Sequence, residues 1–254
     1  MSQPPEDDAR ESASFGFREV PAEQKASLVG EVFTSVAGKY DLMNDLMSGG
    51  IHRLWKDRFV SELRPRSGEA ILDLAGGTGD IAHRISRATG GGARITLCDI
   101  NAAMVEAGRD RLIDRGVLQG ISWSVGDAET LPFADHTFDA ATIAFGIRNV
   151  TRIPKALRDI RRVLKPGGRF FCLEFSNVDP AVEAAYDVFS FQVLPRLGQA
   201  VAGDAESYRY LAESIRRFPD RETFAAMIAE AGFRQVRHEA LTFGVAAIHR
   251  GWRI

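Results

Sequence analysis

Residues 71–80 read ILDLAGGTGD. An apolar run ends in a glycine cluster, and a helical pattern begins at Asp80. That order describes a strand, a tight turn and a helix N-terminus. Glycine admits positive φ and lets a ligand approach bare backbone. A helix start presents N–H groups with no partner inside the helix. The same features also serve an ordinary turn between a strand and a helix, so the flanking sequence has to decide between a binding turn and a structural one.

Outward from this turn, strands and helices alternate. The patterning predicts strands over 70–75, 94–98, 121–125, 138–144 and 168–175. Helices are expected over 80–89, 102–115 and 153–164, with Asn101 as an N-cap and KPGG closing the last of them. Such a rhythm implies a parallel sheet joined by right-handed crossovers. After residue 175 the rhythm changes. A helix over 181–194 carries Tyr186, Phe189 and Phe191, and a charged segment follows with Tyr208 and Tyr210. A helix over 221–231 ends at Gly232, and strands over 235–242 and 245–250 flank Phe243-Gly244. The fold expected is α/β and Rossmann-like: a seven-stranded, mostly parallel sheet with helices on both faces and a terminal antiparallel hairpin.

Upstream of the turn, residues 1–17 are polar and proline-containing and are expected to be disordered. Residues 18–68 form an N-terminal helical lid, with Pro21 in the first turn of a helix and Val29, Val32, Phe33, Val36 and Tyr40 on one stripe. The Met-rich segment DLMNDLMSGGIHRLW either packs on the core as irregular helices or covers a ligand. Residues 18–254 are thus read as one domain, with the cofactor-binding core over 69–176 and substrate-side helices and the hairpin over 177–254.

The 254 residues are 45% hydrophobic and 26% charged, ordinary values for a globular chain, with a net charge of −2. That balance gives no case for a nucleic-acid partner, which needs a basic face. Cys98 and Cys172 sit in apolar runs and read as reduced core thiols. The five histidines have no metal-ligand spacing. No apolar run approaches the roughly 20 residues that span a bilayer, and the acidic N-terminus lacks the pattern of a secretory signal. The setting expected is cytoplasmic.

Asp99 ends the second strand, twenty residues after Gly79, where a carboxylate accepts from ribose hydroxyls. This spacing suits a dinucleotide and an adenosyl ligand equally. Charge separates them better. A pyrophosphate wants a helix N-terminus without competing anions, yet Asp73 precedes the turn and Asp80 follows it. Acids so placed favour a ligand carrying an ammonium and a sulfonium, although Asp80 could equally serve the helix dipole. Asp127, in GDAE after the third strand, lies where an adenine amino group could be read beside the Ala128 N–H.

The pieces LDLAGGTGD, DIN, GDAE, LPF..HTFD and LKPGG resemble the motif series of class I S-adenosylmethionine-dependent methyltransferases. From about residue 33 to the C-terminus the chain more specifically resembles the ubiquinone/menaquinone biosynthesis C-methyltransferases. FTSVAGKYDLMNDLMSGGIHRLWK, AFGIRNV, LEFS, YDVFSFQVLP, GDAESYRYLAESIR and the terminal HRGW carry that likeness. Ala75 stands where the wider class has its first glycine, in agreement with the quinone branch. Ala144 stands where the family often has Ser.

The resemblance implies S-adenosyl-L-methionine as cofactor, held by Asp73, Gly77, Thr78, Gly79, Asp99, Asp127 and Ala128. It implies C-methylation of a prenylated benzoquinol or naphthoquinol ring, with no metal. Arg148 and Asn149 are the catalytic candidates: arginine is no ordinary base but can stabilise a phenolate, and Asn149 can orient the ring oxygen. A loop salt bridge is the alternative role for Arg148. Tyr208 and Tyr210 are candidates for the ring pocket, with packing in the core as the alternative. Met43, Leu46, Met47, Phe189 and Phe191 are expected to line a channel for the prenyl tail. Transient contact with a membrane surface, a homodimer and a quinone-biosynthesis complex are further expectations. Two other functions fit the turn: methylation of another small molecule, such as a sterol or fatty acyl group, and non-catalytic adenosyl binding within a complex.

Overall fold

The computed structural model describes residues 11–36, 45, 48–202 and 204–254. Seven strands form one sheet: β3 (Ala70–Leu74), β4 (Arg94–Asp99), β5 (Ile121–Val125), β6 (Phe138–Ala144), β7 (Leu164–Phe175), β8 (Arg234–Leu241) and β9 (Ala246–Trp252). Their order is β5-β4-β3-β6-β7-β9-β8, with every neighbouring pair parallel except those involving β9. The expected sheet and terminal hairpin are both present. The order reverses between β3 and β6, and that switch point is where open α/β sheets bind ligands.

Alternation along the strands sorts the core into two layers, since successive side chains point to opposite faces. On one face Ile71, Ile95, Leu97, Phe171 and Leu173 pack against α2 (His52–Leu63), α3 (Asp80–Ala88) and α8 (Ala205–Arg217). On the other, Leu72, Leu74, Cys98, Ile143, Phe170 and Cys172 meet α5 (Ile153–Val163) and α9 (Arg221–Glu230). Both cysteines are free and buried. Burial pushes the Cys98 thiol up to about 12 and that of Cys172 well above its ordinary value, which suits inert core thiols.

Two expectations need correction. The unstructured N-terminal segment does not extend to residue 17: β1 (Ser12–Phe15) pairs antiparallel with β2 (Arg18–Pro21) around Gly16, whose φ is +59°. The alternation buries Ala13 and Phe15, and Phe15 stacks on Tyr210 with ring centroids 4.3 Å apart. Second, the helix expected over 181–194 is α6 (Pro180–Val188) followed by a π-helical turn, Phe189–Val193, that leads into α7 (Leu194–Ala202). The charged segment around Tyr208, given no element of its own above, is the helix α8, capped by the Asp204 side chain, which accepts from Ser207 N–H. Of the expected lid, α1 (Ala22–Val36) is described, whereas Tyr40, Met43, Leu46 and Met47 lie outside the described residues.

Candidate active site

The glycine turn joins β3 to α3 with Ala75, Gly77 and Gly79 all at positive φ, +47°, +50° and +77°. Ala75 is an L-residue in the left-handed region, a conformation that favours glycine. Across the switch point Phe145 repeats it at φ +57° as the chain leaves β6. The two turns diverge and leave a cleft between them. On the far side of Gly77, helix α4 (Ala102–Asp114) approaches closely because Gly108 has no Cβ; one there would collide with the Gly77 carbonyl.

The larger lobe of the cleft runs from the turn towards β4 and β5 and is lined by Gly77, Asp99, Ile100, Met104, Asp127 and Ala128, among others. Asp99 Oδ2 accepts from Gly77 N–H and Oδ1 from Asn101 N–H, each at 2.9 Å. Burial raises the Asp99 pKa, while the N–H groups of Asn101, Gly77 and Ile100 lower it. Each oxygen keeps further acceptor capacity for a hydroxyl. Asn101 is the expected N-cap, accepting from Met104 N–H at 3.3 Å. Its Nδ2 also donates to Gly30 O and Thr34 Oγ1 of α1. Helix α1 in turn closes the lobe with Ala26, Val29 and Gly30.

A smaller lobe lies on the other side of the same turn, lined by Lys56, Asp73, Gly76, Thr78, Asp80 and Ala144 among others. The two lobes share Ala75, Gly77 and Phe145. Asp73 faces Thr142 on the adjacent parallel strand, and its Oδ1 accepts from the Thr142 hydroxyl at 2.8 Å. Its Oδ2 is buried with no partner in hydrogen-bonding geometry. Burial pushes the Asp73 pKa up to about 7, against the opposing effect of Thr142 and the Ala82 N–H. Asp80 fares differently. Burial would raise it, yet the Lys56 ammonium, 2.8 Å away, and Arg84 and Arg111 hold it down to about 2. Its charge is already answered within the protein, so the case for a cationic ligand rests on Asp73.

The remaining sequence candidates divide. Asn149 lines the cleft, and its Oδ1 accepts from the Tyr210 hydroxyl at 2.9 Å. Tyr210 is 6% exposed, and burial pushes its hydroxyl up to about 12. Arg148 turns away from the cleft. Its side chain is 2% exposed, Nη1 lies 2.8 Å from Glu174 Oε1 on β7, and it donates to Phe145 O at 2.5 Å. Glu174 Oε2 also accepts from the Arg148 backbone N–H. The salt bridge given above as the alternative role for Arg148 is therefore present, and it braces the loop that carries Asn149. Tyr208 does not reach the cleft: its ring is fully buried against Gly198, where a Cβ would collide with it. Thr78 faces the smaller lobe and its hydroxyl accepts from Arg111 at 2.9 Å. Gly79 serves the turn's geometry, beside Leu112 and Leu97. Phe189 is half-buried against the core, and Phe191 stacks loosely on Phe17 with centroids 6.1 Å apart.

Lys56, Thr142 and Glu174 were not read as site components, whereas α1 falls within the helical lid expected over 18–68. Each depends on a partner distant in sequence, as with Lys56 and Asp80 or Glu174 and Arg148. A lysine in a helix otherwise reads as a solvated face.

The donor set fits an adenosyl ligand without phosphate. No lysine or arginine lines the larger lobe among the described residues, while Asp99, Asp127 and Glu129 do. A pyrophosphate would meet three carboxylates there, whereas ribose hydroxyls and an adenine amino group would meet acceptors. S-adenosylmethionine has those groups, and an ammonium for the orphaned Asp73 oxygen. No cluster of potential metal ligands occurs among the described residues.

The chain is similar to known proteins over nearly its whole length. A ubiquinone/menaquinone biosynthesis C-methyltransferase UbiE from Nitrobacter hamburgensis is 55% identical over 98% of this chain and 100% of its own length. One from Cereibacter sphaeroides is 54% identical over 98% of this chain and 99% of its own. Among solved structures, a SAM-dependent methyltransferase from Thermotoga maritima shares the fold, with a TM-score of 0.62 at 20% identity over 88% of this chain and 99% of that one. A SAM-dependent methyltransferase from Aquifex aeolicus does too, with a TM-score of 0.57 at 15% identity over 78% and 89% of the respective chains. Residues 14–253 match the model of the ubiE/COQ5 methyltransferase family, and with relatives this similar over nearly the whole chain, the protein belongs to that family.

Proposed function

We propose that this chain transfers a methyl group from S-adenosylmethionine to a ring carbon of a prenylated hydroquinone in ubiquinone or menaquinone biosynthesis. The observation that carries the reading is the cleft itself: an acid-lined lobe for adenosine meets Asn149 at the sheet's switch point. Family membership and the names of the relatives support the substrate class.

When bound, the cofactor supplies an electrophilic methyl on a sulfonium. The residues have three tasks. Asp99, Asp127 and the Gly77 turn hold the adenosine so that the methyl points out of the lobe. Asn149 orients the ring oxygen: because its Oδ1 accepts from Tyr210, its amide N–H₂ is left to donate to that oxygen as it gains negative charge. Arg148 acts from behind. Braced by Glu174 and the Phe145 carbonyl, it fixes the loop after β6 and so the position of Asn149. As the ring carbon gained the methyl it would release its proton to water, and the thioether would be set free. A neutral thioether would need no Lewis acid to leave. Tyr210 belongs to this pocket; Tyr208 supports it through the core.

The prenyl tail calls for an apolar path, for which Phe189 and Phe191 remain the described candidates. The enzyme works in the cytoplasm with visits to the membrane surface where such a tail resides, as a homodimer or within a quinone-biosynthesis complex. No described helix is long and apolar enough to cross a membrane. Quinone profiling of a deletion strain tests the reading in the cell. Loss of the ring methyl, with accumulation of a quinone lighter by one CH₂, is expected. An unchanged profile would exclude this substrate class.

A further inference from the structure

Outside both lobes of the cleft, helices α2, α3 and α4 frame a cavity walled mainly by arginine. Arg53 reaches it from α2, Arg84 and Arg87 from α3, and Arg111 and Arg115 from α4 and its C-cap. The cavity shares only Asp80 with the smaller lobe and no residue with the larger one. Asp80 is also the one carboxylate among its described lining residues. In a chain whose net charge is −2, this reverses the balance of the larger lobe, which acids line. Three of the arginines have answers within the protein. Arg53 pairs with Asp45 at 2.6 Å. Arg84 is held by Asp57 and Asp80, and Arg111 donates to the Thr78 hydroxyl at 2.9 Å. Arg87 and Arg115 are exposed and, among the described residues, form no ion pair. His83 lines the cavity with them. Burial lowers its pKa, and so do the charges of Arg115 and Arg87, while its Nδ1 is buried with no hydrogen-bond partner. Cations at the ends of α3 and α4 suit the helix dipoles. The dipoles alone do not require them to converge on one cavity with three more arginines.

We propose that this cavity binds a phosphoryl group, with Arg87 and Arg115 as its principal ligands and the other three arginines as its wall. A guanidinium presents a planar fork of N–H donors that matches two phosphate oxygens, and it stays charged at physiological pH. Two arginines without ion pairs match a group that carries two negative charges. Like charges gathered on one cavity repel, and a bound dianion relieves them. A neighbouring surface cleft between α2 and α3 shares Arg84 and Arg87 and adds Arg64, which gives a second phosphoryl group a cation to reach. The phosphoryl group can belong to a soluble phosphate or to the headgroup of an anionic lipid, since both present the same oxygens. Nothing in the arrangement depends on which acceptor is methylated.

Two probes test the site. Calorimetric titration with inorganic pyrophosphate reads the soluble source. Flotation with vesicles of phosphatidylcholine, with and without phosphatidic acid, reads the lipid source. Both are run at about 0.15 M salt, which screens exposed charges beyond roughly 8 Å. The proteins compared are the wild type, the double variant Arg87→Gln/Arg115→Gln, and Arg234→Gln, an exposed control on β8. Wild type should bind one pyrophosphate per chain, or float only with vesicles that contain phosphatidic acid. The double variant should lose about tenfold or more in affinity, the scale of one charge-assisted hydrogen bond, and the control should stay within about twofold. Pyrophosphate binding without flotation assigns the site to a soluble phosphate. Flotation that pyrophosphate competes away, or flotation without pyrophosphate binding, assigns it to a lipid headgroup. Both replaced residues are exposed, so thermal unfolding and S-adenosylhomocysteine affinity should match wild type, which separates a lost site from a lost fold. A wild type that binds neither probe would overturn the proposal. So would a double variant that binds like wild type, or a control that loses as much as the double variant.

Discussion

Asp73 shows how much a single buried carboxylate depends on its ligand. In the folded protein its pKa is raised to about 7 from an ordinary value of 3.8. Between those values the folded state keeps a proton that the unfolded chain has released. Stability is therefore present at low pH and declines as pH rises through this window, by at most on the order of 4 kcal/mol. The isosteric Asp73→Asn variant cannot lose that proton. Urea unfolding at pH 5 and pH 8 should show the variant gaining stability relative to wild type at the higher pH; a constant difference would mean that the shift is absent. An ammonium bound at Oδ2 relieves the same burden, which makes the cleft less stable without its ligand than with it. Legibility at this scale was uneven. Asp99, Gly77 and Asp127 were readable because strand ends in this fold point at the cleft. Arg148 was placed correctly in the loop after β6 but not in its orientation, because Glu174, the group that turns it inward, lies 26 positions away. Lys56 was invisible for the same reason.

At the level of elements, α1 is an integral wall of the site, and the N-terminal hairpin packs beside it through Phe15 on Tyr210. Lys25 on α1 is 5% exposed and donates to Val150 O at 3.1 Å. Asn101 binds α1 through Gly30 O and Thr34 while capping α4. Replacing Asn101 by Ala should cost about 1 kcal/mol from the lost cap, measured by chemical denaturation. Because the same side chain fastens the wall of the adenosine lobe, cofactor affinity should fall as well. A stability loss with unchanged affinity would show that α1 does not need this tether. The hairpin escaped notice because a polar, proline-containing start dominates the first twenty residues. Its signal was nevertheless present: SASFGFREV alternates around a glycine. Helix α8 was also overlooked, although Asp204 precedes Tyr208, Leu211, Ala212 and Ile215 at helical spacing. Tyrosines among charges drew attention to chemistry before periodicity.

Across the whole molecule, strand order converts a local turn into a methyl-transfer site. Because β3 and β6 are neighbours whose connections leave in opposite directions, the turns at Ala75 and Phe145 part and the larger lobe opens between them. The same β6 exit carries Asn149, so in the proposed function donor and acceptor sites are joined by one strand pair. This global arrangement was legible from the alternation of strands and helices and from the terminal hairpin, since both follow from hydrophobic period. The division of the cleft into two lobes was not, because it depends on how α1 and α2 fold back over the turn. The decisive question is where the methyl goes. Purified enzyme supplied with methyl-labelled S-adenosylmethionine and with benzoquinol and naphthoquinol of matched prenyl tail tests it most directly, with the labelled position read by mass spectrometry and NMR. The label should appear on a ring carbon of at least one of the two quinols; label on a ring oxygen, or transfer to neither ring while a sterol or fatty acyl acceptor is methylated, would contradict it.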